Sequence, residues 1–178
     1  MMTNLSKATV AAMAMTALAG TAAAQCPKTG GTLTYLYHPE PTALSTVATS
    51  AVPVAIVATK IYESLLNYEG AAMTPKPGLA ESWTISDDQK TYTFKLRQGV
   101  TWHDGTPFSA GDVEFTYKTI VNPDVAIRSR SGFDLISEFK VVDDRNVEII
   151  LSKPFVPFAW AWQKMHIVPA HILSKEKD

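Results

Sequence analysis

The sequence predicts an α/β chain, and three stretches carry that prediction. Thr32–Tyr37 (TLTYLY) is β-branched and aromatic, with apolar groups on both faces, as in a strand of a sheet covered by helices on both sides. Val52–Leu66 has the apolar spacing of a helix. Leu79–Asn122 reads as a strand, a turn, a second strand, a tight polar turn and a capped helix.

Each element has its local reason. In the first strand Thr32, Thr34 and Leu36 alternate with Leu33, Tyr35 and Tyr37, and His38-Pro39-Glu40-Pro41 ends it because proline cannot extend a ladder. Thr42–Ser50 is small and polar, a loop. The helix that follows tolerates Pro53 in its first turn, buries Ile56, Ile61, Leu65 and Leu66, and turns Lys60 and Glu63 to water. Asn67–Pro77 is a turn-rich connector. Strand Glu81–Ile85 ends in Ser86-Asp87-Asp88-Gln89, and strand Thr91–Leu96 puts Tyr92, Phe94 and Leu96 on one face. His103-Asp104-Gly105-Thr106-Pro107 is the sharpest turn. Ser109 then caps a helix with Asp112 as its capping-box partner; Val113, Phe115, Tyr117 and Ile120 form its apolar side, and Asn122-Pro123 stops it. Asp124–Gly132 is a basic loop, and Phe139–Val142 with Asn146–Leu151 makes a second hairpin-like pair around Asp143–Asn146.

Composition excludes several classes. The chain has 178 residues, 46% hydrophobic and 19% charged, with a net charge of -1. Such a balance has no electrostatic footprint for nucleic acid or an anionic membrane. Met1–Ala24 reads as a cleaved secretory signal: Lys7 precedes the apolar run Ala8–Gly20, and Ala22-Ala23-Ala24 supplies small residues for cleavage. That run falls short of the roughly 20 residues a membrane span requires. Cys26 is the single cysteine. Gln25 stands where a lipoprotein signal needs a small residue, so the expectation is a disulfide to a thiol outside residues 1–178, with a free thiol near the terminus as the plain alternative.

The residues offer little for catalysis. His38, His103, His166 and His171 lack zinc-site spacing, and the Asp of His103-Asp104 is accounted for by turn geometry. No nucleophile elbow or phosphate loop is present. We therefore expect no catalytic residue, no metal and no cofactor. Trp83, Tyr92, Phe94, Trp102, Phe115 and Tyr117 are expected in one core, and Trp160 and Trp162 in a core or along a ligand groove. Two loops remain as binding candidates. Tyr37, His38 and Glu40 follow the first strand, at the end where open α/β sheets take ligands. Arg128 and Arg130 place two guanidiniums on one loop, suited to a carboxylate.

A longer pattern runs through the chain: Leu79-Ala80-x-x-Trp83, then Tyr92-Thr93-Phe94-x-Leu96-Arg97-x-Gly99-Val100-x-Trp102-His103-Asp104-Gly105, then Pro107-x-Ser109-Ala110-x-Asp112-Val113. Ile61–Leu66, Pro75–Ala80, Lys153–Phe158 and Ile167–Leu173 extend it. In these residues the chain resembles the family 5 extracellular solute-binding proteins, the oligopeptide, dipeptide and nickel receptors of ABC importers. The resemblance implies a periplasmic binding protein-like fold of type II with two lobes. Here it would be the first strand and helix of the main lobe (residues 25–67) and an inserted α+β subdomain (68–173), with 174–178 a charged tail and the second lobe outside this chain. It further implies a short helix with Trp160, Trp162 and Met165 on or near it, and it adds Lys164 and His166 as ligand-facing candidates. The implied function is capture of a small solute, a peptide foremost, by a periplasmic monomer that serves an inner-membrane ABC permease. Opines, nickel chelates and sugars are alternative solutes. A secreted hydrolase with active residues elsewhere, or a periplasmic module outside transport, are the alternative functions.

Overall fold

The computed structural model describes residues 30–32, 34–45, 47, 49, 51–70, 74–127 and 129–175. The expected signal peptide, Cys26 and Arg128 lie outside them. The chain divides into two compact units, Met1–Leu36 and Tyr37–Asp178. In the first, the described residues are irregular and exposed, Leu36 at 94%. The strand expected at Thr32–Tyr37 is therefore not formed among them. A strand requires a partner ladder, and no ladder among the described residues includes this stretch.

The second unit opens with an irregular segment, then α1 (Val52–Ala58), which has proline in its first turn as expected but is half the length expected. Thr59 and Ile61 are β-branched and hold a helix weakly. Tertiary pairing then takes over the residues that follow. Leu79 N donates to Ser64 O at 3.0 Å, Ala80 N to Leu65 O at 3.0 Å, and Ile167 N to Glu63 O at 2.9 Å. Leu65 and Leu66 are fully buried, as expected, but at a bend and in a strand rather than in a helix. The expected connector is likewise a hairpin, β1 (Leu66–Glu69) with β2 (Thr74–Pro77), paired Leu66 to Pro77. Just past it, a Cβ on Gly78 would sit 2.5 Å from Ser64 O and 2.9 Å from Leu65 O. Only glycine permits that approach of two backbones.

The centre of the unit is a four-stranded antiparallel sheet in the order β3-β4-β6-β5, with β3 Ala80–Ile85, β4 Thr91–Leu96, β5 Ile136–Asp143 and β6 Asn146–Leu151. Both expected hairpins are present, and β5 starts earlier than expected. Tyr92, Phe94 and Leu96 of β4 share the buried face with Val147, Ile149 and Leu151 of β6, all at most 2% exposed. The opposite face carries Lys95 paired to Glu81 at 2.8 Å and Lys140 paired to Glu148 at 3.1 Å. One wet and one dry face is the ordinary pattern of an antiparallel sheet.

Helix α2 (Ala110–Val121) follows the turn as expected, with Ser109 as its N-cap and a complete capping box with Asp112. Its buried side is Val113, Thr116 and Ile120; Phe115 and Tyr117 are half-buried, Tyr117 stacking on Phe139 of β5 at 4.9 Å. After a 3-10 turn at Phe133–Leu135 and strands β5 and β6 come α3 (Phe158–Lys164) and α4 (Ala170–Leu173). Phe158 and Trp162 of α3 are fully buried and meet Tyr92 and Phe133 edge-on at 4.8 and 5.0 Å. This arrangement closes the core over the dry face of the sheet. No helix among the described residues is long and apolar enough to cross a membrane.

Candidate functional site

The short helix α3 has two faces that its sequence dictates. Phe158 and Trp162 lie one turn apart on the core side, and Trp160 and Lys164, also one turn apart, lie on the other. Trp162 is 0% exposed and Trp160 39%. Lys164 Nζ sits 3.3 Å from the centroid of the Trp160 ring, well inside the range of a cation–π contact. Among the described residues no carboxylate pairs with Lys164.

Facing Trp160 and Lys164 is the loop from Ser129 to Phe133. Arg130 shapes it from beneath: its Nη2 donates to Asn122 O at 2.7 Å and Val125 O at 2.8 Å, tying the loop to the end of α2. Gly132 turns the chain at φ 89, and a Cβ there would lie 3.0 Å from the Phe155 ring. Its amide donates to Asp134 Oδ1 at 2.9 Å. Between loop and helix lies a groove of about 200 Å³, lined by Ser129, Ser131, Phe133, Phe155, Trp160 and Lys164, with Met165 at its end. Two hydroxyls, one cation and an aromatic wall suit a small group that is apolar in body and anionic at one point. Binding cavities for whole ligands span roughly 300–1,000 Å³, so this groove has room for only part of a ligand of that size.

Another hollow, polar and about 380 Å³, has Tyr62, Glu63, Asn67, Arg97, Gln163 and His166 in its lining. His166 is 7% exposed, bridges Ser64 and lies over the Tyr62 ring at 6.3 Å. Burial pushes its imidazole below the usual value, which favours the neutral form. Among the described residues no three His, Cys, Asp or Glu side chains gather to hold a metal.

The structure thus brings the loop of Arg130 and the end of α3 together, and it separates the other candidates. Lys164 lines the groove directly, whereas Arg130 is engaged with backbone carbonyls below it. His166 belongs to the second hollow. His38 and Glu40 are exposed and Tyr37 half-buried in the irregular segment before α1, and none of the three borders either hollow. Phe155 was not singled out for a groove by sequence reasoning, whereas Trp160 was named with Trp162 for a core or a ligand groove, and only Trp160 lines it. The signal for Trp160 was present: two pairs of residues, each one turn apart and offset by two positions, must fall on opposite faces of α3.

The profile of Bacterial extracellular solute-binding proteins, family 5 Middle, matches residues 74–178. The dipeptide-binding protein of Escherichia coli K12 is 37% identical over 133 residues, covering 65% of this chain and 24% of its own length. The binding protein AgaA of A. tumefaciens R10, solved with agropinic acid, is 34% identical with a TM-score of 0.71, over 76% of this chain and 28% of that one. The oligopeptide-binding protein AppA of Bacillus subtilis, solved with a nonapeptide, is 26% identical with a TM-score of 0.72, over 78% and 27% respectively. The chain spans about a quarter of the length of these relatives. The fold is the α/β periplasmic binding protein-like class that the sequence pattern implied, and the chain belongs to the family 5 bacterial extracellular solute-binding proteins.

Proposed function

We propose that this chain is part of the periplasmic receptor of an ABC importer, which captures a small solute, a peptide foremost, and releases it unchanged to an inner-membrane permease. The observation that carries the reading is the groove between the Ser129–Phe133 loop and α3, set within residues that match a solute-binding family. Lys164 is the residue to which we assign an anionic group of the solute, with Trp160 and Phe155 beside its apolar part. Arg128, Tyr37, His38, Glu40 and His166 are proposed as contacts made in the closed receptor, where a second lobe meets residues 25–173 around the solute. Residues 1–24 direct export, so the mature protein begins at Gln25.

A thermal-shift panel on the whole gene product tests this. It compares dipeptides, a nonapeptide and agropinic acid, each with wild type and with Lys164→Gln. The reading predicts stabilisation by one solute class, the dipeptides first, and a smaller shift in the variant. Stabilisation by none of the three, or cleavage of the peptides during the assay, contradicts it. Sequencing the amino terminus of periplasmic protein checks export, and retention of residues 1–24 in the cytoplasm would refute that part.

A further inference from the structure

The stretch that carries the chain out of α3, Met165–Val168, is buried throughout, at 6, 7, 0 and 2% exposure. It is gripped on two sides. On one, it lies against Glu63 and Ser64 through the Ile167 amide and the His166 bridge. On the other, the grip belongs to α2. Thr116 Oγ1 donates to Asp112 O at 2.8 Å and accepts from Val168 N at 3.1 Å. Asp112 Oδ1 accepts from Ala170 N at 2.9 Å, while Oδ2 accepts from Ser109 N at 3.0 Å and Trp102 Nε1 at 3.3 Å.

Asp112 is 5% exposed, and among the described residues it has no cationic partner. A buried carboxylate persists only when its oxygens are fully bonded, and here N–H groups of three separate segments do that. Capping α2 needs only the oxygen that faces Ser109. The other oxygen holds a different part of the chain. The same is true of Thr116: bonding back to the preceding turn is ordinary for a helical threonine, but its acceptance of the Val168 amide is an added duty. Asp112 and Thr116 lie one turn apart on one face, so together they fix where residues 168 and 170 run. Lys164 stands just before this buried stretch.

We infer that Asp112 and Thr116 are positioning residues for the groove: they hold residues 165–170 so that Lys164 meets the solute over Trp160. The inference rests on the reading of the groove given above. The test uses the whole gene product with Thr116→Val, which keeps the shape and removes the hydroxyl, and Thr116→Ser, which restores it. Amide exchange followed by NMR should show Val168 at least about tenfold faster in Thr116→Val, near wild type in Thr116→Ser, with β4 unchanged in both. The Trp160 indole N–H resonance should move in Thr116→Val toward its position in Lys164→Gln. Calorimetry with L-alanyl-L-phenylalanine should show affinity weakened at least about threefold by Thr116→Val and recovered by Thr116→Ser. An unprotected Val168 amide in wild type overturns the inference even if the variants fail to fold. So does a Trp160 resonance that Thr116→Val leaves in place, or an affinity loss that Thr116→Ser does not recover. If wild type itself ignores the dipeptide, peptide is the wrong solute, and the exchange and indole measurements still decide the positioning role.

Discussion

Trp160 and Trp162 differ by two positions and by everything that matters physically. Trp162 is fully buried against Phe133, Phe94 and Phe158, whereas Trp160 stands in the groove under Lys164. Trp162→Ala should cost about 3–5 kcal/mol, the range for removing a large core aromatic. Trp160→Ala should stay within about 1 kcal/mol while weakening solute binding. Urea unfolding of both variants checks the contrast, and equal losses would contradict it. Asp104 offers a second test. The Thr106 backbone N–H, at 2.9 Å, and then His171, at 2.7 Å, hold its carboxylate down from 3.8 to about 2. A folded-state value below the unfolded one means stability present above 3.8 and lost as pH falls through about 2. The stability gap between wild type and Asp104→Asn should therefore shrink as pH falls from about 4 towards 2. A gap that ignores pH over that window would show that these bonds do not favour the charged form. The turn itself was legible in the sequence, since Asp-Gly before Pro has few other uses. The His171 contact was not, because it joins positions distant in the chain.

At the scale of elements, what could be read was whatever local rules decide. The Ser109–Asp112 capping box, the alternation in Thr91–Leu96 and the Asp143–Asn146 turn each carry their signal within a few residues, and each formed. Val52–Leu66 misled because its second half is claimed by Gly78–Ala80 and Ile167, through tertiary hydrogen bonds that overrule helical spacing. Asn67–Pro77 read as a connector because prolines mask a strand, yet Pro77 sits across from Leu66 at a hairpin end. The groove was half legible. The basic loop and Lys164 were named, while their meeting depends on the sheet that separates them in sequence. The element boundary at Gly78 yields its own prediction. Gly78→Ala should destabilise by about 1–3 kcal/mol, because a methyl group cannot enter the space held by the Ser64 and Leu65 carbonyls. A thermal melt checks it, and an unchanged midpoint would mean the two backbones can part freely.

At the scale of the molecule, the Tyr37–Asp178 unit has a sheet wet on one face, a core closed by α2 and α3 on the other, and a groove at the end of α3. On the function proposed above, the groove supplies contacts for binding, and closure of a two-lobed receptor supplies the rest. Equilibrium dialysis of the whole gene product against a mixed dipeptide library, read by mass spectrometry, tests this most directly. The account predicts that particular dipeptides are enriched with the protein and recovered intact. Release of free amino acids, or a library left unenriched in every member, would contradict it.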